Sequence, residues 1–147
     1  MDETEEEGQL ADRIVVGIDG SGPSKAALAW AAREAKLTGL RLTAVAAWSF
    51  PTSWGWTPPP LSDYDPEQDA THMLAQTIDE VLGPDPGIEL ETMVVEGHPA
   101  QVLVHQSESA RLVVVGSRGH GAFAGMLLGS VSEFLTAHSH CPVVVVR

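Results

Sequence analysis

The sequence predicts an α/β domain with one doubly wound parallel sheet. Three observations carry that expectation. Short apolar, β-branched runs recur at Ile14–Ile18, Leu40–Trp48, Ile88–Val95, Leu112–Val115 and Val143–Val146. Stretches with helical period separate them. Turn and cap residues punctuate each junction, most densely at 19–24, 83–87 and 116–130. Strict alternation of strand and helix implies parallel strands joined by right-handed crossovers.

The first run, Arg13 to Ile18, has the length of a buried strand and stops at Asp19-Gly20-Ser21-Gly22-Pro23-Ser24. Ser21 or Ser24 can serve as the N-cap of the helix that follows. Its Ala content favours helix, Leu28, Ala31, Ala32 and Ala35 share a face, and Gly39 is the expected stop. The second strand runs from Leu40 to Trp48. Residues 49–66 form a long loop rich in Pro and aromatics, including Trp54, Trp56 and Tyr64. Loops of that length are often functional, so Trp54 and Trp56 read either as a lid over a ligand or as packing against the domain or a partner. A helical stripe follows from Glu67 to Leu82. The third strand, Ile88 to Val95, alternates at first as a half-exposed strand would. Pro99 suits the first position of a short helix to about Ser109, with Leu103, Val104 and Ser107 inward. The fourth strand, Leu112 to Val115, runs into a glycine-studded loop holding Arg118 and His120. Gly129-Ser130 opens the last helix, with a face of Val131, Phe134, Leu135 and His138. Val143–Val146 is the fifth strand.

The chain has 147 residues, 44% of them hydrophobic, enough for one domain with a sizeable core. No apolar run reaches the length that spans a bilayer. The single cysteine, Cys141, fits a reducing cytoplasm. Of the net charge of −12, half lies in residues 1–12, which hold six acids and no Lys or Arg. That tail reads as disordered, leaving 13–147 as the domain. The remaining negative charge argues against a nonspecific grip on nucleic acid or an anionic membrane. A single bound phosphate is compatible with it, because backbone donors and Arg118 act at short range.

In such sheets ligands bind at the carboxyl ends of the strands where the winding reverses. The two specialised loops, Asp19-Gly20 and 116–129, both follow strands. Were those strands neighbours, the order would be 3-2-1-4-5 and the loops would part at the reversal. The end of the second strand, around Ala46-Ala47, would lie on the same edge. Glycines without Cβ and a helix N-terminus with unpaired N–H groups suit a phosphate there. The pattern is neither a Walker loop nor a dinucleotide fingerprint. It is Gly116-x-x-Gly119, nine residues, then Gly129-Ser130.

On these residues the chain resembles the universal stress protein family. The matching segments are Ile14–Ser21, Val114–Gly119, Leu127–Ser132 and Cys141–Val146, so the resemblance covers nearly all of 13–147. The glycine motif marks the family's ATP-binding branch. The resemblance implies that Asp19 lies beside the adenosine and that Ala47 contacts adenine, at a position where the family often carries a larger β-branched residue. It implies that Gly116 and Gly119 approach ribose and phosphates, that Gly129, Ser130 and Val131 hold phosphate through N–H groups and a hydroxyl, and that Ser132 belongs to the same nucleotide site. Bound ATP in this family can carry Mg²⁺ or Mn²⁺. The resemblance also implies a homodimer paired through the last strand, 142–147. A phosphate cradle without an evident catalytic base points to a regulatory role read by a protein partner.

Several residues admit a second reading. Ser130 and Glu133 also spell a capping box. Asp19 can cap the first helix, and Arg118 can be a solvated loop charge. His120 reads as a plain loop residue. His138 and His140 point to different faces of a helix end and lack zinc-spaced partners, and Cys141 reads as a small buried hydrophobe. No nucleophile elbow occurs. Two rivals to a regulatory nucleotide binder stay open: a slow ATP hydrolase using Asp19, Ser130 and Arg118, and a nucleotide-free scaffold dimer.

Overall fold

The structure is a computed structural model, which describes residues 12–50, 65–119 and 128–147. The acidic tail but for Asp12, the tryptophan loop but for its ends, and His120 lie outside the described residues. Strands β1 (Arg13–Gly17), β2 (Arg41–Trp48), β3 (Leu90–Glu96), β4 (Leu112–Gly116) and β5 (Val143–Val146) alternate with helices α1 (Gly22–Thr38), α2 (Pro66–Leu82), α3 (Pro99–Ser107) and α4 (Ser130–His138). All strand pairs are parallel, in the order β3-β2-β1-β4-β5. The expected order 3-2-1-4-5 is therefore the observed one.

Strand alternation explains the layers. Ile14 and Val16 point to one face, where they meet Leu28, Ala31 and Ala35 of α1 and Leu74 of α2. Val15 points to the other, where it packs with Val102 and Leu103 of α3 and Leu135 of α4. Side chains two apart on a strand share a face, so each central strand feeds both cores. The edge strand β5 divides likewise: Val144 and Val146 join the α1/α2 side, and Val143 and Val145 join the α3/α4 side. All four valines stay half-buried.

Away from the ligand edge, Arg13 ties the start of β1 to the end of α3. Its guanidinium donates to Gln106 Oε1 at 2.8 Å, Ser109 Oγ at 2.9 Å and Ser109 O at 3.1 Å. Burial holds its pKa below the usual arginine value, while Glu91 opposes that shift and Arg41 reinforces it. Such long-range contacts leave no periodic trace in a sequence. One helix face also differs from expectation. In α4, Ser132 and Leu135 are buried, whereas Phe134 and His138 lie outward and stack on each other at 4.2 Å between ring centroids.

Candidate functional site

β1 and β4 are adjacent, and the chain winds away from them in opposite directions. The loops leaving their carboxyl ends diverge and leave a cleft of about 360 Å³. That volume lies in the range of small-molecule sites. All nine residues expected at the site, Asp19, Ala47, Gly116, Arg118, Gly119, Gly129, Ser130, Val131 and Ser132, line it.

The β1 exit is held by a small polar network. Gly20, at φ 82°, turns the chain sharply. Ser21 is the N-cap of α1, accepting from Ser24 N at 3.3 Å. Asp19 does not cap the helix itself. Its Oδ1 accepts from Ser21 N at 2.9 Å and from the Ser21 hydroxyl. Asp19 thereby braces the cap, and its other oxygen, Oδ2, lies against Gly119: a Cβ built there would sit 2.5 Å from it. The two exits thus meet at Asp19 and Gly119.

The described glycines of the β4 exit, Gly116, Gly119 and Gly129, are accounted for by close approach rather than by left-handed backbone. A Cβ on Gly116 would come within 2.7 Å of Pro23 C and Cβ, so Gly116 lets the start of α1 close on β4. A Cβ on Gly129 would meet Arg118 Cα at 3.1 Å. Gly129 also differs from expectation in its amide, which donates to Ser117 O at 2.6 Å and so is already engaged within the chain.

α4 starts without a side-chain cap. Gly129 occupies the N-cap position and Ser130 is the first helical residue, so the capping-box pairing of Ser130 with Glu133 does not form. The amides of Ser130, Val131 and Ser132 belong to the first turn, where no intrahelical acceptor exists. Ser130 and Arg118 are exposed. Among the described residues lining the cleft, Arg118 is the one cationic side chain and Asp19 the one acid.

The opposite wall is apolar. Val45, Ala47, Val115, Val102 and Leu103 face the cleft, with Pro99 at the rim. Sequence reasoning had the Ala47 position but not the contribution of α3. A signal for it existed: a helix that follows a parallel strand begins at that strand's carboxyl end, which places Pro99 and Val102 on the ligand edge. Chemically the site offers an apolar slot for a flat ring, a fixed carboxylate, and a positive end made of helix amides and a guanidinium. Among the described residues no three His, Cys, Asp or Glu side chains gather as a metal site, and no helix is long and apolar enough to cross a membrane.

Comparison with known proteins shows the family and agrees with the fold. The sequence profile of the Universal stress protein family matches residues 11–147. Universal stress protein Rv2623 of Mycobacterium tuberculosis is 40% identical over 135 residues, 91% of this chain and 44% of the relative. Universal stress protein Mb2028c of Mycobacterium bovis is 41% identical over 134 residues, 91% of this chain and 45% of the relative. The chain thus spans a little under half the length of the curated relatives it matches. Among solved structures, universal stress protein UspA from Lactobacillus plantarum has the same fold, with a TM-score of 0.75 at 22% identity over 92% of this chain and 97% of the other. A universal stress protein solved in complex with cAMP gives a TM-score of 0.70 at 28% identity, again over 92% and 97%.

Proposed function

The chain belongs to the universal stress protein family, and on that premise we propose that it binds an adenine nucleotide in the β1/β4 cleft, ATP in particular, and signals its occupancy to a protein partner. One observation carries the reading: the cleft joins an apolar slot to an uncapped helix start, with Arg118 beside it. Adenine fits the slot formed by Ala47, Val45 and the α3 residues. The phosphates go to the first-turn amides of α4, where orphan N–H groups and the helix dipole favour an anion. Asp19, braced by Ser21, faces the sugar. The solved relative that carries cAMP supports an adenine nucleotide in general. ATP is the finer reading, drawn from the glycine spacing. Mg²⁺ or Mn²⁺ would travel on the nucleotide's own phosphates, with Asp19 as the carboxylate of the cleft.

Pairing of two copies through the edge of β5 (142–147) belongs to the same proposal. Its support is an edge of half-buried valines with no strand partner among the described residues, a surface that invites strand addition. A cytoplasmic setting, suggested by the single cysteine, completes it.

The test is mass spectrometry of small molecules released from denatured protein, followed by calorimetric titration with ATP, ADP, AMP and cAMP. Co-purified adenine nucleotide, or saturable binding with ATP favoured, supports the reading. Protein free of nucleotide, with a melting temperature that ATP leaves unchanged, overturns it in favour of a scaffold. ADP release that is lost in Asp19→Ala while ATP still binds moves the reading to a slow hydrolase. Light scattering decides the dimer: a monomeric mass refutes pairing through β5.

A further inference from the structure

Ser132 lines the cleft, yet its hydroxyl hydrogen is committed elsewhere. The residue is 2% exposed. Its Oγ lies 2.9 Å from Ser117 O and 3.0 Å from Gly129 O, both acceptors. A serine hydroxyl has one hydrogen, so a phosphate oxygen, itself only an acceptor, finds no donor there. The same Ser117 carbonyl also receives the Gly129 amide at 2.6 Å. The Ser117 amide, in turn, donates to Val146 O at 2.7 Å, which fastens this peptide to the sheet through β5.

We propose that Ser132 is a positioning residue, which locks the first turn of α4 to the exit of β4 so that its amides face the anion before any ligand arrives. This rests on the nucleotide reading above and deepens it. The latch joins residues fifteen apart in the chain at a single carbonyl. Rotation of the α4 start would have to break the Gly129 and Ser132 bonds to Ser117 together. Donors held in place before binding favour the anion because little order is lost on association. The lock contributes less to the fold than to this alignment. Without the Ser132 hydroxyl, Ser117 O keeps the Gly129 amide and Gly129 O keeps the Glu133 amide at 2.9 Å. No buried carbonyl is left without a donor, the condition under which deletion of a hydrogen bond is mild for stability.

The experiment compares ATP with adenosine on wild type and Ser132→Ala by calorimetry, with thermal unfolding as the control for folding. Adenosine has no phosphate, so only ATP reads the α4 amides. The expected result is ATP affinity weakened about tenfold, the scale of one misplaced hydrogen bond, with adenosine unchanged. Equal weakening for both ligands, or no weakening, overturns the positioning role. A wild type that binds neither ligand fails at the nucleotide reading itself and takes this inference with it, and that failure is visible without any variant. Should Ser132→Ala not fold, amide hydrogen exchange on the ligand-free wild type decides the matter. A protected Gly129 amide supports a preformed latch, and an amide that exchanges as freely as an exposed loop overturns it.

Discussion

Ser130→Glu separates the chemistry of the cleft from the stability of the fold, because it moves the two in opposite directions. Ser130 is exposed, is the first residue of α4, and lines the cleft. Its replacement disturbs no capping bond, since α4 has no side-chain cap. A carboxylate in the first turn of a helix interacts favourably with the dipole, by about 0.3–1 kcal/mol. In a domain of this size that raises the melting temperature by roughly 1–5 °C. The same charge opposes a bound phosphate. At a separation of about 4 Å the repulsion is about 1 kcal/mol with bulk-water screening and about 4 kcal/mol at an effective dielectric constant near 20. The ATP dissociation constant should therefore rise by between about fivefold and about several hundredfold. Titration calorimetry of ATP beside differential scanning calorimetry of the free protein reads both effects. If Ser130→Glu binds ATP as wild type does, the phosphates do not lie on the start of α4. A Gly129→Glu change also places a carboxylate there, but it tests less cleanly: Gly129 is buried and its Cβ would crowd Arg118 Cα at 3.1 Å.

Gly116→Ala should lower the melting temperature by roughly 5–10 °C, the effect of about 2 kcal/mol of overpacking against the backbone of Pro23; an unchanged transition would mean that α1 yields freely. Thr43→Val should raise stability by about 1 kcal/mol in urea titration, because Thr43 Oγ1 is buried with no hydrogen-bond partner among the described residues; a loss of stability would reveal a partner. Arg13→Ala should cost roughly 2–3 kcal/mol through the lost contacts to the end of α3, with nucleotide affinity unaffected at the far edge of the sheet. Burial raises the Cys141 pKa, while bonds from Ser139 and Val113 oppose the shift, so the thiol should react with iodoacetamide at pH 8 more slowly than in the urea-unfolded chain. A raised folded pKa also means that the folded state binds this proton more tightly, so its contribution to stability is present below the unfolded thiol range and is lost as pH rises through the folded value.

The fold was legible because each of its levels leaves a local mark. The run Val113–Val115 is buried from both faces of the sheet, and Val143–Val146 packs half-buried against both, so each reads as a continuous apolar string. The reversal between β1 and β4 followed from where the two specialised loops fall. What stayed hidden depends on partners remote in sequence. The pattern Ser130-x-x-Glu133 meets the capping-box rule, but the chain places Gly129 at the cap, and only the bond from Gly129 to Ser117 shows why. The engagement of the Ser132 hydroxyl with the carbonyls of Ser117, fifteen residues away, and Gly129 leaves no mark in the local pattern. The outward turn of Phe134 likewise depends on what covers α4, which periodicity alone does not report.

The four helices of the described residues do not start alike. Ser21 caps α1 with Asp19 behind it, Asp65 caps α2, and His98 caps α3 through Nδ1, each by a side-chain acceptor. α4 alone among them begins with a residue that has no side chain to offer. A cap contributes about 1 kcal/mol, so a helix without one leaves an electrostatic deficit that an external anion can fill. That deficit opens on the cleft where Gly116 and Gly119 bring the exits of β1 and β4 into contact. The glycines therefore need not touch a ligand to be required by one. They allow the backbones to close, and closure sets the uncapped turn opposite the apolar slot. A substitution that opens this junction should weaken phosphate-bearing ligands even where no ligand contact is lost.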